Sequence, residues 1–134
     1  MISKLDNALN YHHTALNVRA ARQELLSSNV ANADTPNFKA RDIDFSSVLN
    51  DALSSKTAKT GLTTTSPMHL TSGSHNSIVE QAQYRIPLQP SADGNTVDMD
   101  AERARFADNS IKYDAGLTFI NGDIRGILSA IQES

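Results

Sequence analysis

The chain of 134 residues contains no cysteine. Disulfides, thiolate metal sites and a cysteine nucleophile are therefore excluded. Tryptophan is also missing, and aromatic residues make up only 5% of the sequence. Much of the 39% hydrophobic content is alanine, so little bulk is available for a large core. No run approaches the length of a membrane-spanning helix. Net charge is −3, too mild for an acidic tail or for the basic footprint of a nucleic-acid binder. The start, Met1-Ile2-Ser3-Lys4-Leu5-Asp6-Asn7, has one lysine, an early aspartate and no continuous apolar region. It does not read as a cleavable secretory signal.

Catalytic patterns are equally sparse. The histidines are His12, His13, His69 and His75. Neighbours on a helix point about 100° apart, so His12 and His13 cannot chelate one ion as an i, i+4 pair would. His69 and His75 sit in a polar stretch with no carboxylate close in sequence. "DGNTVDMD" (93–100) looks superficially like a calcium loop but lacks the EF-hand spacing and its bidentate glutamate. There is no phosphate-binding glycine loop and no nucleophile elbow. Arg19, Arg22, Arg103, Arg105 and Lys112 alternate with acids and read as solvated helix faces. The chain is not expected to be an enzyme, and no cofactor, metal, nucleic acid or small-molecule substrate is implied.

What is present is long helical periodicity at both ends. In the first segment Ile2, Leu5, Leu9, Leu16, Ala20 and Val30 fall within an arc of about 80°. A seven-residue seam also runs through Leu5, Leu9, Leu16, Leu26 and Val30, interrupted by His12, Arg19 and Gln23. The last segment is cleaner. Met99, Phe106, Tyr113, Ile120 and Ile127 recur every seven residues, with Leu117, Ile124 and Ile131 at the companion position. Asp98 is the expected N-cap, and Asp100 and Glu102 suit the positive end of the helix dipole. Gly116, Gly122 and Gly126 each cost about 1 kcal/mol against alanine. The register runs through them, which favours one helix over a stop at Asn121-Gly122.

The fold class expected is mainly α. Two long terminal helices, within 1–33 and 98–134, pair as a coiled-coil-like hairpin and form one helical domain. The central segment, 34–97, reads as extended, irregular and partly flexible. It holds a short helix near 42–53, built on Ile43, Phe45, Val48, Leu49 and Leu53. Half of the residues from Ser54 to Ser77 are Ser or Thr, without a sustained period, so 54–78 reads as a flexible loop. "QYRIPLQP" (83–90) reads as extended. Pairing the terminal helices leaves a second arc on the first one, Ala8, Ala15, Val18, Leu25 and Leu26, expected to lie open. Such a surface wants neighbouring subunits, and heterologous contacts that do not close produce filaments.

"SNVANADTPNF" (28–38) ends the first helical pattern in dense turn chemistry. Asn29 and Asn32 can cap free backbone groups, and Thr35 before Pro36 is held extended. Ala31, Asn32, Thr35 and Phe38 resemble the Ala-Asn-x-x-Thr-x-Gly-Phe/Tyr signature of bacterial flagellar axial proteins, the rod, hook and junction subunits. Asn37 stands where that family usually has glycine, and asparagine also tolerates a left-handed conformation. "GNTVDMDAERARFADNSIKY" (94–113) resembles the second signature of the proximal rod members, through Gly94, Asn95, Thr96, Val97, Asp98, Glu102, Asn109 and Tyr113.

The resemblance covers nearly the whole chain. It implies a structural subunit, exported unfolded through the flagellar type III apparatus without a cleaved signal, that assembles in the periplasmic rod of the basal body. The implied partners are copies of itself, other rod proteins, and a rod-base adaptor, export gate or membrane-ring component. Phe38 becomes an anchor that pins the loop to a neighbour; an ordered helix-terminating loop is the plainer alternative. A cytosolic helical adaptor or export chaperone, using the same seam to bind partner helices, is the competing function.

Overall fold

The computed structural model describes residues 2–54, 78–87 and 91–132, with side chains from residue 9 onward. Helix α1 runs Ile2–Ala31 and helix α3 runs Met99–Gln132 without a break at Gly122. They lie antiparallel. Asn29 meets Glu102, Gln23 meets Asn109, Leu16 lies against Gly116, and His12 lies beside Asp123. The molecule is the expected mainly helical hairpin with an irregular middle.

Asp98 starts α3, its Oδ1 accepting the amides of Asp100 and Ala101 at 3.1 and 3.2 Å. A side-chain acceptor there satisfies amides that the first turn leaves without a helical partner. Gly116 faces α1; a β-carbon there would lie 3.0 Å from Leu16 Cδ2. Around Gly122 and Gly126 there is open space.

The second face of α1 is not open, contrary to the sequence reading. Val18 and Leu25 form a buried cluster with Ile43 and Val48, flanked by Phe45, Ile78, Val79 and Ala82. Leu26 is also fully buried. Ala15 is half-buried, and the side chain of Ala8 lies outside the described residues. The central segment supplies the cover. It folds back on α1 through helix α2, Phe45–Ser54, and a short 3-10 helix, Ile78–Gln81. The monomer thus covers the second arc itself, with six apolar residues of the central segment, Ile43, Phe45, Val48, Ile78, Val79 and Ala82.

The short helix starts later than its apolar spacing predicts. Arg41–Asp42 is strand β1, paired antiparallel with strand β2, Gln83–Tyr84, with Arg41 opposite Tyr84. Asp44 then caps α2, its Oδ1 accepting Ser46 N–H at 3.3 Å and Ser46 Oγ–H at 3.0 Å. The extended reading of 83–90 holds for Gln83–Tyr84; 88–90, like the Ser/Thr-rich 55–77, lie outside the described residues.

Candidate functional site: two signatures joined at the foot of the hairpin

The turn after α1 is closed by a residue distant in sequence. Asn32 stays local, its side-chain amide donating to Ser28 O at 2.8 Å. Asn95, 94% removed from solvent, donates its amide to the carbonyls of Asn32, Ala33 and Thr35 at 3.0, 2.7 and 3.0 Å. These are the carbonyls that the ending helix and the turn leave free. Asn95 Oδ1 accepts Val97 N–H at 2.8 Å, which fixes the amide's orientation. The turn itself is held by Phe38 N–H donating to Thr35 O at 3.3 Å, and Thr35 Oγ reaches Asn32 Oδ1 at 3.2 Å.

Asn37 is left-handed, with φ 61°, and is alone among the described non-glycine residues in having positive φ. Its N–H donates to Asp93 O at 2.9 Å. Facing it, Gly94 has φ 73°, and a β-carbon there would lie 2.6 Å from Asn37 Oδ1. The position that cannot take a side chain is therefore Gly94 rather than residue 37. Thr96 N–H donates to Phe38 O at 3.0 Å, and Ala40 N–H donates to Thr96 Oγ at 2.8 Å. The two signatures run side by side as one hydrogen-bonded unit. Phe38 is half-buried within it, while Ala31 and Pro36 are exposed.

Asn29 does not cap α1. Its side-chain amide donates to Arg41 O at 2.8 Å and to Glu102 Oε2 at 3.0 Å, and its Oδ1 accepts Arg41 N–H at 3.1 Å. It acts as one more strand residue beside β1 and as a bridge to α3.

An ion network missed by the sequence reading completes the site. Arg22 donates to both oxygens of Asp42, at 2.8 and 2.9 Å. Arg85 donates to Asp42 Oδ2 at 2.6 Å and to Glu102 Oε1. Arg105 donates to the same Glu102 oxygen at 3.0 Å. Glu102 is fully buried. Arg22 and Arg105 thus belong to an interior network rather than to solvated faces. Burial pushes the Asp42 carboxyl up, but hydrogen bonds from Arg22, Ile43 N–H and Arg85 outweigh it and hold the group below the usual range. The same bond to Asp42 raises Arg22. Nearby, Arg19 stacks 4.2 Å above the Phe45 ring, and burial lowers its pKa. Asn109 donates to Arg19 O at 2.9 Å and Gln23 Oε1 at 2.7 Å. Every acid of this cluster is held by guanidinium or amide donors, an arrangement suited to locking α1, β1, β2 and α3 together. A hint was available in the sequence. Asp42 and Glu102 are acids within otherwise helical, apolar patterns, but nothing local says which arginines they meet.

The seam residues divide. Leu26 is fully buried in the monomer, so it offers no surface to a neighbouring subunit. Leu9, Leu16, Val30, Tyr113, Ile120 and Ile127 are half-buried. Phe106, Leu117, Ile124 and Ile131 remain exposed. The side chain of Leu5 lies outside the described residues.

The two signatures that lock this turn are the ones that resemble bacterial flagellar rod components, and comparison with known proteins agrees. Residues 9–39 match the family described as flagella basal body rod protein. The chain is 52% identical over 136 residues to the flagellar basal body rod protein FlgB of Yersinia enterocolitica, covering 99% of each. It is 48% identical over 135 residues to the FlgB of Escherichia coli K12, covering 98% of each, and 47% identical to that of Aeromonas hydrophila. The chain belongs to the flagellar basal body rod protein family, within its FlgB members. These relatives favour a rod subunit over a helical adaptor or export chaperone.

Proposed function

We propose that this chain is a structural subunit of the flagellar basal-body rod, which polymerises through its terminal helices into the proximal part of the drive shaft. The observation that carries this reading is a stripe on α3: Leu117, Ile124, Leu128 and Ile131 are 37%, 41%, 52% and 66% exposed. Spacings of seven, four and three residues put them on one helix face. The central segment covers the half of α1 near the turn, whereas Leu117, Ile124 and Leu128 of this stripe stay exposed beyond it. An apolar face of this length in water is a surface awaiting partners. Successive subunits would bury it by a heterologous contact, which gives an open filament.

In this reading the terminal helices are the rod-forming unit, with the central segment on their flank. The chain reaches the periplasmic rod unfolded, through the type III export apparatus and without a cleaved signal. Its partners are copies of itself, other rod proteins, and an adaptor, export-gate or membrane-ring component at the rod base.

The test is Ile124→Asp. A carboxylate in a buried subunit contact costs several kcal/mol, whereas Ile124 is accessible in the free chain. The variant should be made and exported but missing from isolated basal bodies, and cells should lack flagella. Ile124→Val should assemble, losing about 0.5–1.5 kcal/mol per subunit. Normal incorporation of Ile124→Asp would remove the seam as the basis of assembly.

A further inference from the structure

Helix α3 has 34 residues, and the buried ones among them are Glu102 and Asn109, both polar. The core cluster of Val18, Leu25, Ile43 and Val48 draws on α1 and the central segment and takes nothing from α3. The residues through which α3 meets α1 account for this. Glu102, Asn109, Gly116 and Asp123 recur every seven residues, so they form one line along the helix. They meet Asn29, Gln23, Leu16 and His12. The three interruptions of the α1 seam all answer this line: His12 pairs with Asp123, and Asn109 donates to Gln23 and to the carbonyl of Arg19. A tight helix pair places large apolar side chains along its contact line. Here the line carries an acid, an amide, a glycine and an acid.

The two buried layers of the line differ in kind. Glu102 is fully buried, and both of its oxygens accept hydrogen bonds, from Asn29, Arg85 and Arg105. Asn109 is as deeply buried but only half satisfied. Its amide nitrogen donates to Arg19 O and Gln23 Oε1, whereas no donor among the described residues reaches its Oδ1. Turning the amide over gives no relief, since it sets Oδ1 against Arg19 O. A buried acceptor left without a donor costs more than a formed hydrogen bond contributes. We propose that the Asn109–Gln23 layer is a built-in weak point of the hairpin, which keeps α1 and α3 separable so that the folded chain opens readily. The Glu102 layer fixes how the helices meet; the Asn109 layer limits how firmly they stay together. Polar residues at a helix contact line specify the pairing at a cost in stability. The weakness is a property of the free chain. Its use, unfolding for passage through the export apparatus, rests on the rod reading above.

The experiment replaces both partners at once, Gln23→Met with Asn109→Leu, by side chains of similar volume that need no hydrogen bond. In the purified full chain the double variant should raise the urea midpoint at unchanged slope and slow unfolding by at least about tenfold. In cells whose own copy is deleted, fractionation should find the wild-type chain exported and the double variant retained in the cytosol. Adding Asn95→Ala, which loosens the turn at the foot of the hairpin, should restore both fast unfolding and export. Two results would each overturn the proposal. One is a double variant that is no more stable than the wild type or fails to fold, which would make the layer a holding contact. The other is a double variant that unfolds slowly yet is exported as the wild type is. A wild-type chain that is not exported would count against the rod reading instead, and the urea measurement would still decide whether the layer is weak.

Discussion

At the scale of single residues, Asn95 and Asn37 show how differently two asparagines can serve one turn. Asn95 is a donor to three carbonyls, so its amide nitrogen is the essential atom. Asn95→Ala should lose about 1–3 kcal/mol by leaving those acceptors without their partner. Asn95→Asp should be worse than alanine, because it sets a carboxylate against carbonyl oxygens. Urea midpoints give the order directly; an aspartate variant more stable than the alanine one would contradict the capping role. Asn37 matters for its backbone. With φ 61°, Asn37→Gly should be tolerated and Asn37→Val should lose about 1–3 kcal/mol. Asp42 adds a pH dependence. Its folded pKa is depressed, so its contribution is fully present above the unfolded value of about 3.9 and fades as pH falls through the lower folded value. In that acid window the unfolded state binds more protons, and stability should fall with pH. Asp42→Asn should flatten that part of a plot of unfolding midpoint against pH.

At the scale of elements, the glycines of α3 separate packing from propensity. Gly122 and Gly126 face open space, so alanine at either should stabilise the isolated chain by up to about 1 kcal/mol. Gly116→Ala gains the same propensity but pushes a β-carbon to 3.0 Å from Leu16 Cδ2, so it should gain less or lose. Thermal midpoints of the three variants test this ranking. The element boundaries teach a related point. Ile43, Phe45, Val48, Leu49 and Leu53 were legible as a helical set, but the start of that helix was not. Asp42 is drawn into the ion network with Arg22 and Arg85, and the chain stays extended until Asp44 can cap.

At the scale of the whole molecule, cover is uneven along the hairpin. Near the turn, α1 is packed on α3 and on the central segment, and the core of Val18, Leu25, Ile43 and Val48 lies there. Toward the other end, among the described residues, α1 and α3 pack on each other alone, joined by contacts such as the half-exposed His12–Asp123 pair at 3.3 Å. An exposed pair of this kind is worth about 0–1 kcal/mol, so Asp123→Asn should be nearly silent. Amide exchange in the isolated chain should therefore be slow over 18–31 and 99–113 and progressively faster toward 2–10 and 120–132. Uniform protection along both helices would mean that the open end is stable without neighbours.

The sequence by itself determined what depends on local order. Seven-residue spacing of Phe106, Tyr113, Ile120 and Ile127 makes a long helix whatever surrounds it. Asp98 caps from two residues away, and asparagine at 37 permits a left-handed turn. Absent thiols and absent catalytic spacings were equally visible. Only the tertiary structure decided that Asn95 closes a turn sixty residues distant, that Asn29 pairs with Arg41 rather than capping its own helix, and that Glu102 is buried among arginines. It also decided that the second arc of α1 is covered within the monomer. The physical reason is range. Helical periodicity is a property of neighbours three and four residues apart, whereas hydrogen bonds and ion pairs act over about 3 Å. Which of many polar side chains come that close is set by the antiparallel register of α1 and α3 and by how the central segment packs on them, and neither is written in any single stretch of the chain.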